Sequence, residues 1–172
     1  MLRIWSLWVV INPDITPMTN SILVKISFQD KVLEEKYGLP THSTPGSAGY
    51  DLRAVINDPI YLLAGDQAII KTGISIHIED PNFVGIIVPR SGLGFKKNLV
   101  LGNGTGVIDS DYTGEIHIAL KNHHHHKSWK IEPYERIAQL MFMPVYHAAW
   151  DMVDELSNSD RGEKGFGSTG RV

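Results

Sequence analysis

Gly102–Asn122 reads GNGTGVIDSDYTGEIHIALKN, and this stretch decides the fold. Two apolar patterns, Val107-Ile108 and Ile116–Leu120, flank the polar turn Ser110–Gly114. Alternation of the second kind belongs to a half-buried strand, and a Gly-containing polar turn between two such runs predicts a hairpin. Asp109 stands just before the turn and Tyr112 three residues later. The end of the hairpin therefore offers an acid, a ring and backbone groups, which together suit gripping a small planar ligand and moving a proton.

Outward from this stretch, the chain keeps the same texture. Upstream, Ser21–Phe28 alternates, and Ser47–Ala54 opens a second strand that carries Asp51 and Arg53. Ile60–Leu63, Gln67–Thr72 and Gly73–Glu79 follow as three short strands, then the apolar run Phe83–Val88. Downstream, Trp129–Ile131 and Ile137–Val145 are joined by Glu132–Glu135. Only Lys31–Tyr37 and Arg90–Asn98 have room for helix. Many short strands at regular spacing predict an all-β sandwich or barrel rather than βαβ units.

The size, 172 residues, fits one domain, and 42% apolar with 20% charged residues is ordinary for a chain with a core. A net charge of −3 argues against a general nucleic-acid binder, though a few arginines suffice for a small anion. No cysteine is present, so disulfides, thiol catalysis and cysteine metal sites are excluded together, and a reducing, cytoplasmic setting fits. Residues 1–17 hold a short apolar run, interrupted at Asn12-Pro13-Asp14, too short to span a membrane. They are read as a leader, with the working chain beginning near Met18.

Three motifs need weighing. The tail RGEKGFGSTG has the glycine spacing of a phosphate-binding P-loop, with Ser168-Thr169 following, but lacks its Lys and the helix that should follow. Its glycines with Arg161, Ser168 and Thr169 suit a flexible arm whose N–H and hydroxyl groups wrap an anion, and Phe166 needs something to cover. The run His123–His126 lies between two strands and reads as an exposed loop that would hold nickel resin without functional meaning. His42, His77 and His147 read as surface or satisfied positions.

Five blocks, in order, carry a resemblance: AGYDLRA (48–54), PRSGLGFKK (89–97), GNGTGVIDSDYTGE (102–115), ERIAQLMFMPV (135–145) and RGEKGFGSTGR (161–171). Together they resemble the homotrimeric deoxyuridine triphosphate nucleotidohydrolases (dUTPases), from about Ile22 to Val172. The resemblance implies a jelly-roll-like β-barrel over 18–157 with a short helix, and a flexible Gly-rich C-terminal arm over 158–172. It implies hydrolysis of dUTP to dUMP and pyrophosphate, which limits uracil incorporation into DNA and supplies dUMP for thymidylate synthesis. It implies a homotrimer whose sites are shared among subunits, with no nucleic-acid or membrane partner.

The residue roles below are likewise what the resemblance implies. Asp109 is the general base that activates water. Arg90, Ser91 and Gly92 bind phosphate, and Gln139 stands near the phosphates and the attacking water. Asn103 with the main chain at Val107, Ile108 and His117 reads uracil, and Tyr112 packs against the deoxyribose. Arg161, Ser168 and Thr169 reach the phosphates from the arm, and Phe166 stacks over the base. Mg²⁺ is held mainly by substrate phosphates and water, with Asp51 as an outer-shell partner or as a structural partner of Arg53. The alternatives are a dCTP deaminase of the same fold and a non-catalytic dUTP-binding regulator.

Overall fold

The computed structural model describes residues 21–159 and Gly162. The leader and Arg161, Phe166, Ser168 and Thr169 lie outside the described residues. Ten strands and one short helix follow in order. The strands are β1 (Lys25–Phe28), β2 (Tyr50–Arg53), β3 (Ile60–Leu62), β4 (Gln67–His77), β5 (Phe83–Pro89), β6 (Leu99–Leu101), β7 (Gly106–Ile108), β8 (Glu115–Asn122), β9 (Trp129–Ile131) and β10 (Arg136–Pro144). Helix α1 (Ser91–Lys97) lies between β5 and β6, and Leu33–Tyr37 forms one wide helical turn.

All pairings are antiparallel. One sheet has the order β1-β4-β8-β6, a second β2-β10-β5-β7, and β3 with β9 makes a separate ribbon. The expectation of an all-β fold holds, but hydrogen bonding does not close the sheets into a barrel. They enclose one core instead, with Ile70, Ile74, Ile76, Ile116, Ile118 and Leu120 from the first sheet meeting Leu52, Ile87, Ile137 and Leu140 from the second. Strand periodicity explains the selection: along β8 every second residue from Ile116 points inward. That period also turns Asn122 inward, where it is fully buried.

Three expectations are corrected. The first strand is shorter than its alternation, beginning at Lys25 rather than Ser21. Gln67–Thr72 and Gly73–Glu79 are one strand, β4, not two. Gly73, at φ 68°, carries a bulge there, and the register against β8 slips by two residues between Lys71 and Ser75. An even slip keeps Ile70, Thr72, Ile74 and Ile76 on the same face, so the hydrophobic side survives the break.

The third correction concerns the opening stretch. β7 and β8 do not pair as a hairpin. β7 pairs with β5 in the second sheet, whereas β8 pairs with β4 and β6 in the first. The connection Asp109–Gly114 therefore crosses from sheet to sheet. Alternation reports which face of a strand is buried, not which strand lies beside it.

Candidate active site

The crossover is held by a few backbone bonds. Tyr112 N–H donates to the Asp109 carbonyl at 3.1 Å, and the Tyr112 hydroxyl donates to the Glu115 carbonyl at 3.0 Å. A Cβ on Gly114 would stand 2.5 Å from that hydroxyl, so only glycine lets the ring fold back over the turn. From outside, Glu79 N–H donates to the Ser110 carbonyl at 3.0 Å. The Asp109 side chain stays exposed.

The absence of a β7–β8 pairing sets the chemistry of the slot. β7 is an edge strand, so one row of its N–H and C=O groups has no strand partner among the described residues. β6 accompanies β8 only from Asn122 to Leu120, and a last bond runs from Gly102 N–H to the Ala119 carbonyl at 2.7 Å. Nearer the crossover, the stretch of β8 containing His117 is open on that side. Val107 and His117 are exposed and Ile108 is half-buried. Asn103 sits at the far end of β7, its amide donating to the Thr105 carbonyl at 3.2 Å.

A second group of candidates gathers where β2, β5 and β10 come together. Asp51 faces Gln139 across the β2–β10 pair, and Gln139 faces Val88 of β5. Arg90, just after β5, donates Nε–H to Asp51 Oδ1 at 2.8 Å and a weaker bond to Oδ2 at 3.5 Å. It also reaches the Arg136 carbonyl at 3.4 Å, which leaves two of its five N–H donors uncommitted. Arg136 closes the cluster at 3.1 Å from Asp51 Oδ2. The Asp51 carboxylate, only 14% exposed, thus aims two guanidinium groups. A one-residue bulge between Arg136 and Ala138 turns Arg136 outward while Ile137 and Ala138 are both buried.

The expected Asp51–Arg53 partnership is absent. Arg53 lies 4.1 Å over the Tyr37 ring and donates to the Tyr134 carbonyl at 2.9 Å. Arg136 was missed by sequence reasoning. Its only signal was a cation at the start of a strand, and its partner is 85 residues away.

Helix α1 starts at Ser91. The amides of Ser91 and Gly92 precede the first intrahelical bonds, while Leu93 and Gly94 both donate to the Arg90 carbonyl. Ser91 and Gly92 are exposed, and a Cβ on Gly92 would meet nothing within 4 Å. The fold of a single copy has no need of glycine there.

The structure does not bring the two groups together. Ile108 stands opposite Gly85, near the start of β5, and Asp109 comes after it, whereas Arg90 follows the end of β5. At 3.3–3.4 Å per residue this separates them by roughly 20 Å. Of the scattered histidines, His77 Nδ1 is 3.7 Å from Glu79 and His147 meets the Pro81 carbonyl at 2.9 Å. The His42 ring lies tilted against Tyr50, half-buried, and its Nδ1 has no hydrogen-bond partner among the described residues, so the reading as a surface or satisfied position does not hold for it.

Comparison with known proteins converges. A family model described as dUTPase matches residues 35–170. A deoxyuridine 5'-triphosphate nucleotidohydrolase of Aeromonas salmonicida is 49% identical over 154 residues, covering 90% of this chain and 99% of the relative. One from Escherichia coli is 45% identical over 148 residues, covering 86% and 97%. A solved Staphylococcus bacteriophage 80alpha dUTPase with dUPNHPP is 30% identical with a TM-score of 0.75, covering 87% of this chain and 99% of that one.

Proposed function

The chain belongs to the dUTPase family, and from that premise we propose how its residues carry the reaction. The enzyme hydrolyses dUTP to dUMP and pyrophosphate. Asp109 takes a proton from water. The water oxygen bonds to the α-phosphorus, the bond from that phosphorus to the α–β bridging oxygen breaks, and pyrophosphate leaves in line. The observation that supports this reading is the exposed Asp109 carboxylate beside two strands with open backbone edges.

Uracil presents a carbonyl–imide–carbonyl edge, which unpaired strand N–H and C=O groups can match one for one. The main chain at Val107, Ile108 and His117 does this with Asn103, leaving no room for a 5-methyl group. Tyr112 packs on the sugar and rejects a 2′-hydroxyl. The free donors of Arg90, the Ser91 hydroxyl and the amides of Ser91 and Gly92 take phosphate oxygens, with Gln139 beside them. Arg161, Ser168, Thr169 and Phe166 act from the arm, 158–172, over the barrel domain 18–157.

The donor set fits a magnesium ion carried mainly by phosphates and water. Among the described residues no three His, Asp or Glu side chains converge on one point. Asp51, though bonded to two arginines, retains lone pairs for a metal-bound water. Bound magnesium supplies positive charge against the triphosphate oxygens.

Asp109 and Arg90 of one copy, roughly 20 Å apart, are too distant to serve one α-phosphate. This supports a homotrimer in which one copy supplies the slot, the next the arginine and a third the arm. The segment after β10 also asks for a partner, because Tyr146, Trp150, Met152 and Leu156 are 88–98% exposed. We place the enzyme in the cytoplasm, where it limits uracil incorporation into DNA. No helix of the described residues is long and apolar enough to cross a membrane.

Pyrophosphate release measured with dUTP, dTTP, dCTP and UTP, with and without Mg²⁺, tests the activity. Turnover of dUTP alone, dependent on Mg²⁺, is expected; ammonia release from dCTP would overturn it. Mixing inactive Asp109→Asn chains with inactive Arg90→Ala chains tests the sharing. Re-assembled mixtures should regain activity, and mixtures as dead as their parents would remove shared sites.

A further inference from the structure

The run His123–His126 takes no part in the chemistry above, yet it is not a slack loop. Asn122 builds it from beneath. The two hydrogens of its Nδ2 are shared among the carbonyls of Leu62 at 3.1 Å, Leu63 at 3.0 Å and Lys127 at 2.7 Å, and its Oδ1 accepts from His124 N–H at 2.9 Å. Both ends of the four-histidine loop are therefore tied to one buried amide. Inside the loop, His124 Nδ1 accepts the N–H groups of His126 and Lys127, each at 3.1 Å. A ring nitrogen that accepts these bonds carries no proton, so the proton of the neutral ring sits on Nε2. His124 is thereby occupied at one nitrogen and protonated at the other. It fastens the turn and has no lone pair left for a ligand.

His123, His125 and His126 remain, all exposed. The rings of His125 and His126 have centroids 6.2 Å apart with planes at 51°. A metal–nitrogen bond of about 2.1 Å puts each ring centroid about 3.2 Å from the ion, so two imidazoles on one ion have centroids roughly 5–6.5 Å apart. The pair stands near the wide end of that range, about 1 Å beyond the roughly 5.2 Å of a tetrahedral angle, so the two exposed rings close on the ion by small side-chain rotations. We propose that His125 and His126 form a two-imidazole site for a borderline divalent cation of the Zn²⁺, Ni²⁺ and Cu²⁺ class. Water completes the coordination. No third His, Asp or Glu converges among the described residues, so the site is open rather than a closed structural centre. Its affinity is limited accordingly.

Two further observations shape the site. Lys121 lines a hollow with Ala64, Gly65, His123, His124 and His125, and its ammonium opposes a cation on that side; His126 lies outside the hollow. This directs binding to the His125–His126 edge. Within one copy the site is also far from the Asp109 crossover. Seven residue steps along β8 separate Asn122 from Glu115, about 24 Å. Imidazole nitrogen prefers a borderline ion and magnesium prefers oxygen, so this site and the nucleotide's magnesium do not compete.

Calorimetric titration of the metal-stripped full chain with ZnCl₂ or NiCl₂, at about pH 7.5, without nucleotide and with MgCl₂ present, tests the proposal. One ion per chain is expected. The double variant His125→Ala/His126→Ala should bind at least about tenfold more weakly. His124→Asn, whose side-chain oxygen can still accept the turn bonds, should bind within about twofold of the natural chain. Equal binding by the double variant would overturn the site, as would no uptake by the natural chain. A His124→Asn loss as large as that of the double variant would mean an unstructured run in which every ring counts alike. That outcome too would overturn the proposal.

Discussion

At one end of β8, the Asp109–Gly114 crossover is fastened by backbone carbonyls of its own neighbourhood; at the other, the loop after Asn122 hangs from a buried side chain. In the crossover, the carbonyls of Asp109, Ser110 and Glu115 take the bonds, and the Asp109 carboxylate is left exposed. In the distal loop, both polar atoms of Asn122 are consumed, its two N–H groups shared among three carbonyls and its oxygen taken by an amide, and nothing of the side chain is exposed. The difference separates two uses of a polar residue. At the crossover, backbone carbonyls take the bonds, one of them from the Tyr112 hydroxyl, and the Asp109 carboxylate is left unspent. Where only a connection is needed, a side chain is committed entirely to the fold.

Substitution at the two ends should separate turnover from stability. Asp109→Asn should lower kcat by about 10²–10⁴-fold, keep dUTP binding and leave the melting temperature unchanged. Steady-state kinetics beside a thermal melt checks this, and equal turnover would remove Asp109 from the mechanism. Asn122→Ala should do the reverse. Three carbonyls and an amide lose their partner, so a cost of about 3 kcal/mol is expected in urea unfolding, with kcat per folded molecule intact at low temperature. An Asn122 variant that stayed stable while losing turnover would break the comparison.

Asp51→Asn tests a residue between these extremes, because its carboxylate both belongs to the fold and orients Arg90. It should lower kcat/KM by about tenfold with little change in melting temperature. Conversely, a large melting shift with unchanged kinetics would place Asp51 with Asn122. Glu79 should give the smallest effect. The hydrogen bond from Lys25 holds its carboxyl below the usual glutamate range, against the opposing pull of desolvation. A depressed carboxylate stabilises the fold fully above its unfolded pKa, and that contribution is lost as pH falls through the folded one. The small melting difference between the natural chain and Glu79→Gln should therefore be present at neutral pH and close in acid.

Much of this was legible before any coordinates. Strict alternation in GISIHIE and EIHIALKN marks buried faces because strand side chains alternate by geometry alone. The glycine-bounded turn around Asp109 and the Arg90-Ser91-Gly92 start of α1 were likewise visible as local patterns. Pairing partners were not. Whether β7 lies beside β8 or β5 is decided by how two sheets close over a core, which involves residues far apart in sequence. The Asp51–Arg90–Arg136 cluster was hidden for the same reason, spanning separations of 39 and 85 residues. Asn122 looked like the polar end of a strand. Only its inward position and its carbonyl partners on the β3 side reveal an anchor.

The exposed side chains after β10 carry a consequence for the life of the protein in the cell. Tyr146, Trp150, Met152 and Leu156 offer large apolar surface until something covers them. A lone copy therefore presents the signal that chaperones and proteases use to recognise unfinished proteins. In the proposed trimer those side chains are covered by other copies, so the rate of completion rises with concentration. In that assembly scarce chains are the ones left open to clearance, through the segment that follows β10 and lies outside any catalytic group.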